Sequence, residues 1–178
     1  RFDEISSTND YLRRKLDIEE YDVIIAGKQT NGRGKRGSIW ISNEGAALFS
    51  FAIEYREEIL SRITIFSSYI VYKILEKFLE EGNMEKLTFK WPNDIYYEDR
   101  KICGILCEKV RNHIIIGIGI NINNSDFGIF RDKAVSLFEI TGIKEDVDSI
   151  IKETVVLFEE KIRTFNKEWE KIINLMNN

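Results

Sequence analysis

The chain holds one histidine, one proline and two cysteines among its 178 residues, and each scarcity removes a class of chemistry. With a single imidazole, His113, any Ser-His-Asp or Cys-His catalytic set or histidine-rich metal site would have to rest on that one side chain. His113 follows Arg111-Asn112 at a predicted hairpin turn, where a solvated loop histidine is the expectation. Cys103 and Cys107 are too few for a disulfide scaffold and lie in an apolar run, which suits reduced, buried thiols of a cytoplasmic protein. No apolar run reaches membrane-spanning length, so no membrane role is expected, and no basic-then-apolar segment opens these residues, which begin at Arg1 and leave a removed presequence or domain open. The net charge of −4 lacks the basic excess that nucleic-acid binding uses. Chemistry therefore falls to lysine, arginine, asparagine, aspartate and backbone amides.

What is present suits one soluble domain: 43% of residues are apolar and 31% charged, with no internal repeat or proline-rich linker. Ser6-Ser7-Thr8-Asn9 reads as the cap of a short helix ending near Leu16. Strands are predicted at 23–26 and 46–53. A main helix is predicted over 60–81, with Ile63, Phe66, Ile70, Ile74 and Phe78 on one stripe and Gly82-Asn83 as its stop. Strands at 87–91, 95–97, 101–110 and 114–122 follow, joined by turns short enough for antiparallel neighbours. A short helix is predicted at 136–140. From Val147 a long helix is expected to the chain end, with an apolar seam at Ile151, Val155, Phe158, Ile162, Phe165, Trp169, Ile172 and Met176 that packs on the sheet. The fold class is α+β, a mixed and largely antiparallel sheet with helices packed on it.

Three segments carry chemistry. Gly32-Arg33-Gly34-Lys35-Arg36-Gly37 is glycine-rich and basic, with no acid between Val23 and Asn43, so it suits folding around an anion. It satisfies the G-x-G-x-x-G spacing, but the residues after it read as extended chain where a dinucleotide fingerprint needs a helix. Ser38 stands where a Walker A loop needs lysine. The second segment is Lys90-Trp91-Pro92-Asn93-Asp94; a second turn at Glu98-Asp99-Arg100 would return Lys101 towards it, bringing an amine and a carboxylate together. The third is the strand from Ile114. Its even positions, Ile114 to Ile122, form one apolar face, and the opposite face carries Gly117, Gly119, Asn121 and Asn123. Two adjacent glycines leave a bare strip where a flat ligand can lie against backbone, with the Asn121 amide beside it as donor and acceptor.

In order along the chain, Ser7-Thr8-Asn9, residues 32–37 with Trp40, residues 90–94, Arg100-Lys101 with Gly104-Ile105-Leu106, and residues 117–121 resemble the catalytic domain of biotin–protein ligases. The resemblance implies a class II synthetase-like fold over 1–178 and two substrates, biotin and ATP, with Mg²⁺. The intermediate would be biotinyl-adenylate, from which biotin passes to a specific lysine of the partner, a biotin carboxyl carrier protein or domain. The resemblance also implies that Ser7, Thr8 and Gln29 hydrogen-bond the ureido ring of biotin, with Asn9 and Asn93 also among the substrate-binding residues. Residues 32–37 would close over the adenylate, with Arg33, Lys35 and Arg36 near carboxylate and phosphates. Trp40 would pack by the adenine and Asn121 would read its edge; Gly32, Gly104 and Gly117 would leave room. Lys101, with Arg33, is the implied catalytic residue, and Asp94 the implied Mg²⁺ ligand. A homodimer is expected, since such relatives often pair through a sheet edge. The nearest rivals are a lipoate–protein ligase-like acyl transferase and a non-catalytic biotin- or nucleotide-binding module.

Two departures stand out. Within 1–178 there is neither a helix-turn-helix ahead of the domain nor an SH3-like domain after it, so a repressor role is not expected. Lys35 stands where relatives commonly carry arginine, and lysine cannot make arginine's forked contact. The expectation is looser retention of the adenylate: Lys35→Arg should slow escape of labelled adenylate in a dilution chase, and an unchanged release rate would count against it.

Overall fold

The computed structural model describes residues 1–176, the Arg36 side chain excepted. Seven strands form one open sheet: β1 (Phe2–Ile5), β2 (Val23–Gln29), β3 (Ala47–Glu54), β4 (Leu87–Lys90), β5 (Asp94–Tyr97), β6 (Arg100–Val110) and β7 (His113–Ile120). Their spatial order is β1-β2-β3-β7-β6-β5-β4. Only the β1–β2 pair is parallel; the others are antiparallel. The α+β class with a mixed, largely antiparallel sheet is the observed one.

β7 lies at the centre because its two faces differ. Ile114, Ile116, Ile118 and Ile120 are buried in the main core with Phe49 and Phe51 of β3 and Cys103 and Ile105 of β6. Over this face pack α3 (Ile63–Glu76), α6 (Val147–Ile162) and α7 (Phe165–Met176). Phe158 sits at their meeting point, edge-on to Phe51 at 4.9 Å and to Phe66 at 5.1 Å between ring centres. The other sheet face has only a small cluster of Ala26, Ala46 and Leu48, joined by Ile5 and Trp40. Here α1 (Thr8–Arg14) packs, its amino end capped by the Ser7 hydroxyl, which accepts from Asp10 N at 3.3 Å.

Several boundaries differ from the sequence reading. β1 was not predicted. The expected helix over 60–81 is three pieces: α2 (Glu57–Leu60), α3 and α4 (Glu81–Met84). The chain leaves helical geometry after α3 so that Phe78 and Leu79 can both pack on the core, and Gly82 lies inside α4 rather than ending a helix. The C-terminal helix breaks at Arg163-Thr164. That break turns Phe165 onto Phe66, 4.9 Å between ring centres, and brings Trp169 under the Arg62 guanidinium at 5.0 Å. The expected seam holds across it, with Ile151, Phe158, Phe165 and Ile172 buried. α5 (Leu137–Thr141) follows its Ser136 capping box as predicted. His113 opens β7, paired with Glu54 and Val110, instead of standing in the turn. Cys103 is buried and Cys107 partly so, both unpaired; burial pushes both thiols up, Cys107 to about 11.

Phe158 is the test of the layer contact. Phe158→Ala should cost about 3–5 kcal/mol and lower the urea midpoint with little change in slope. Val156→Ala, on the exposed side of α6, should change stability by no more than ~0.5 kcal/mol.

Candidate active site

The face of the sheet opposite the core is built around missing side chains. Gly104 of β6 and Gly119 of β7 are cross-strand partners, and Leu106 pairs with Gly117. The Trp40 indole lies on the first pair: a Cβ on Gly119 would stand 2.5 Å from its Cε2, and one on Gly104 2.8 Å from its Cζ3. The Asn9 amide covers Gly117, where a Cβ would fall 2.0 Å from Oδ1. The predicted bare strip is therefore occupied by two of the chain's own flat side chains, and a cavity of about 160 Å³ opens beside them.

Most of the sequence-predicted residues meet there. Ser7, Thr8, Asn9, Gln29, Arg33, Lys35, Trp40, Asn93, Asp94, Lys101, Gly104 and Gly117 all line this cavity. Gly32 stands behind the wall: its carbonyl accepts from Trp40 N at 2.9 Å, and a Cβ there would meet Trp40 O at 2.5 Å. Asn121 belongs to a second, adjoining cavity of about 530 Å³, lined also by Ile39, Ile41, Phe127 and Phe130. Its Nδ2 donates to Lys101 O at 3.3 Å and its Oδ1 accepts from Asn124 at 3.0 Å, so both ends of the amide are engaged within the fold. Trp40, Ser38 and Lys101 line both cavities. The Arg36 side chain lies outside the described residues.

The turn reasoning about Lys101 holds in space. Its Nζ lies 2.7 Å from Asp94 Oδ1 and 5.3 Å from the centre of the Trp40 ring. The same Asp94 oxygen accepts from Asn93 Nδ2 at 2.8 Å. Lys101 is fixed at its backbone too, its N–H donating to Lys133 O at 2.8 Å.

Four residues that the sequence reading did not single out complete the site. Gln29 Oε1 accepts from Thr8 N at 2.8 Å and Oγ1 at 3.1 Å, and Gln29 Nε2 donates to Ser42 Oγ at 3.1 Å. Thr8 Oγ1 lies 2.6 Å from Ser50 Oγ, which donates to Asn9 Oδ1 at 2.6 Å. Asn9 Nδ2 donates to Glu108 Oε2 at 2.9 Å. Glu108 in turn grips Arg33, Nη1 to Oε1 at 3.1 Å and Nη2 to Oε2 at 2.8 Å, while Nη2 also reaches Asp10 Oδ1 at 2.8 Å. Burial pushes the Glu108 carboxyl up, but the hydrogen bonds from Arg33 and Asn9 and the nearby Arg33 and Arg13 charges outweigh it, leaving the group below the usual carboxylate range. Ser50 carried one signal, as the hydroxyl inside the apolar run ALFSFAI. Glu108 carried another, since it shares strand parity with Gly104 and Leu106.

Two donors at the site, Arg33 Nε and Trp40 Nε1, are buried without a partner among the described residues. Unmet donors of this kind are costly, and a ligand acceptor would satisfy them. Among the described residues no three acidic, histidine or cysteine side chains gather as a metal cage.

Known proteins resemble this chain in sequence and in fold. The pattern of the biotin/lipoate A/B protein ligase family matches residues 2–121. The bifunctional ligase/repressor BirA of Escherichia coli is 31% identical over 97% of this chain, which spans 58% of that protein's length. The biotin–protein ligase of Homo sapiens is 30% identical over 80% of the chain and 22% of its own length. Among solved structures, the biotin protein ligase of Aquifex aeolicus in complex with biotin and ATP superposes with a TM-score of 0.78 at 28% identity, covering 94% of this chain and 72% of that one. A lipoate-protein ligase A bound with ATP shares the fold alone, with a TM-score of 0.52 at 11% identity.

The packing over Gly117 can be tested directly. Gly117→Ala should displace Asn9 and cost about 1–3 kcal/mol in denaturant unfolding. Gly82→Ala, where an added Cβ meets nothing within 4 Å inside α4, should be neutral or stabilising by up to ~1 kcal/mol.

Proposed function

We propose that this chain, which belongs to the biotin/lipoate A/B protein ligase family, is the catalytic domain of a biotin–protein ligase that activates biotin with ATP and passes it to a lysine of a biotin carboxyl carrier domain. The observation that carries the proposal is the shared wall: Lys101 and Trp40 border both cavities, so two substrates in separate compartments would meet at one ammonium group. Supporting it, the smaller cavity has the amide and hydroxyl lining that a ureido ring needs. The larger has apolar and aromatic walls suited to a purine. The biotin and ATP held by the Aquifex aeolicus relative are a matching pair of ligands.

In the first step a biotin carboxylate oxygen bonds to the α-phosphorus of ATP and the bond to pyrophosphate breaks. Negative charge grows on the phosphate oxygens, and no proton has to move, so a site without a working histidine suffices. Lys101, held by Asp94 and by its backbone bond to Lys133, supplies a fixed positive charge at the junction; Arg33 supplies a second. In the second step the uncharged amine of the acceptor lysine attacks the acyl carbon, AMP leaves, and the amine proton passes to solvent or phosphate. The residues 32–40, arched over the cavity from Gly32 to Trp40, would limit the access of water to the mixed anhydride.

Mg²⁺, when bound, would neutralise charge on the nucleotide phosphates. This chain fits such an ion only as one that arrives on ATP, with Asp94 giving at most a single carboxylate, because Mg²⁺ commonly takes one or two carboxylates plus phosphate oxygens and water.

ATP–pyrophosphate exchange on the purified chain is the test. Exchange should require biotin and be absent with lipoate, and Lys101→Ala should lower it at least about a hundredfold with the thermal midpoint little changed. Exchange supported by lipoate alone would move the activity to the sister ligases; near-normal exchange in Lys101→Ala would remove that residue from the reaction.

A further inference from the structure

The backbone of Arg33 is bridged to Ile39 between two glycines, Gly32 and Gly34, but a held backbone does not by itself choose among the rotamers of a long side chain. Something outside the loop has to aim its guanidinium. The structure assigns that task to Glu108: we propose that Glu108 is a positioning residue for the adenylation step, holding Arg33 against the cavity wall with Asp10 as second anchor. The inference rests on the ligase reading above.

The contact is two-pronged, each Glu108 oxygen meeting a different guanidinium nitrogen at 3.1 and 2.8 Å. A forked pair of this kind fixes direction as well as distance. Glu108 itself cannot wander. It is on β6, hydrogen-bonded to β7, where it pairs with Ile115, and Asn9 donates to its Oε2 at 2.9 Å. Asn9 is in turn held by Ser50 from the middle of β3. The sheet therefore transmits its geometry to the Arg33 side chain through one carboxylate.

The arrangement also leaves donors to spare. A guanidinium has five N–H groups, and Glu108 and Asp10 take three of them. One hydrogen on Nη1 and the Nε–H are left, and Nε is buried without a partner among the described residues. A pair serving only to tie the loop down would have no reason to leave that donor unmet. Arg33 lines the cavity, so an anion there would meet a guanidinium whose direction is already set.

The test is a double-mutant cycle in biotin-dependent ATP–pyrophosphate exchange, using wild type, Arg33→Ala, Glu108→Gln and the double variant, each checked for folding by circular dichroism. Glu108→Gln should lower kcat about a hundredfold, as expected for a reacting group misplaced by about an ångström, while KM for biotin changes less than about threefold. In the Arg33→Ala background the same change should cost nothing further, because Glu108 then has no guanidinium to hold. Glu108→Gln within twofold of wild type, or a double variant whose loss is the product of the two single losses, overturns the assignment. Should Glu108→Gln not fold, Glu108→Asp, which keeps the charge but draws it back by one methylene, enters the same cycle with the same overturning results. A wild-type chain that shows no exchange with biotin overturns the ligase reading itself, whereas an active wild type with an additive cycle overturns only the role of Glu108.

Discussion

The site depends on β7 carrying isoleucines along one face and, over its second half, only glycines on the other. Toward the helices, Ile114, Ile116, Ile118 and Ile120 are buried, each contributing about 1.5–3 kcal/mol by leaving water. Toward the cavity, Gly117 and Gly119 let Asn9 and Trp40 approach to distances that a Cβ would forbid. The strand sits fourth of seven in the sheet, between β3 and β6, and is hydrogen-bonded on both edges. The floor of the cavity is therefore also the back wall of the core. Any movement of the floor would have to disturb the packing of Phe51, Phe66 and Phe158 behind it. A site that must place charges to within a fraction of an ångström gains its rigidity from this shared wall.

On that floor the charges are arranged in partly exposed pairs rather than left single. Lys101 with Asp94, and Arg33 with Asp10 and Glu108, have side chains 16–29% exposed. Pairs of that exposure add little to stability because water still screens them. Their effect is on direction. Each cation is pinned to a strand-borne carboxylate while part of its donor set stays available. Fixed positive charge of this kind suits a reaction in which phosphate charge grows and no proton moves. It also accounts for how little titratable chemistry the chain carries, a single histidine standing at the far end of β7 included.

Much of this was legible in the sequence, and what was not has definite physical causes. The alternating isoleucines, the α3 stripe and the loop chemistry declared themselves through periodicity and residue type, so the central strands, the main helix and most residues lining the smaller cavity could be named, but few of those lining the larger one. β1 could not: Phe2–Ile5 has only its ends half-buried and its middle two residues exposed, and it is a strand because β2 offers it backbone partners. The break at Arg163-Thr164 escaped because the seam keeps its 4-3 spacing through it; Phe165 and Trp169 reward the bend only once Phe66 and Arg62 are in place. The partners of Arg33 were hidden for the same reason. Asp10 and Glu108 lie 23 and 75 positions away, and nothing in a linear reading says which of thirty acidic residues folds back onto it. Ser50 looked like an interruption in an apolar strand until the parity of β3 was fixed by its pairing with Gly117.

Trp40 is where these features act together. Its backbone N–H is held by Gly32 O at 2.9 Å, and its carbonyl accepts from Ser42 Oγ at 3.3 Å. Ser42 receives Gln29, Gln29 receives Thr8, and through Ser50 and Asn9 the same chain of hydrogen bonds reaches Glu108 and Arg33. The ring itself divides the two cavities and lies under the Lys101 ammonium. The indole that divides the two compartments is therefore tied through its backbone to Arg33, which lines one of them, and lies by Lys101, which lines both. The Gly104–Gly119 step lets the ring sit flush on the sheet, with its indole N–H unpartnered among the described residues. The wall shared by the two compartments takes this form because three positions on two strands, Gly104, Gly117 and Gly119, have no side chain.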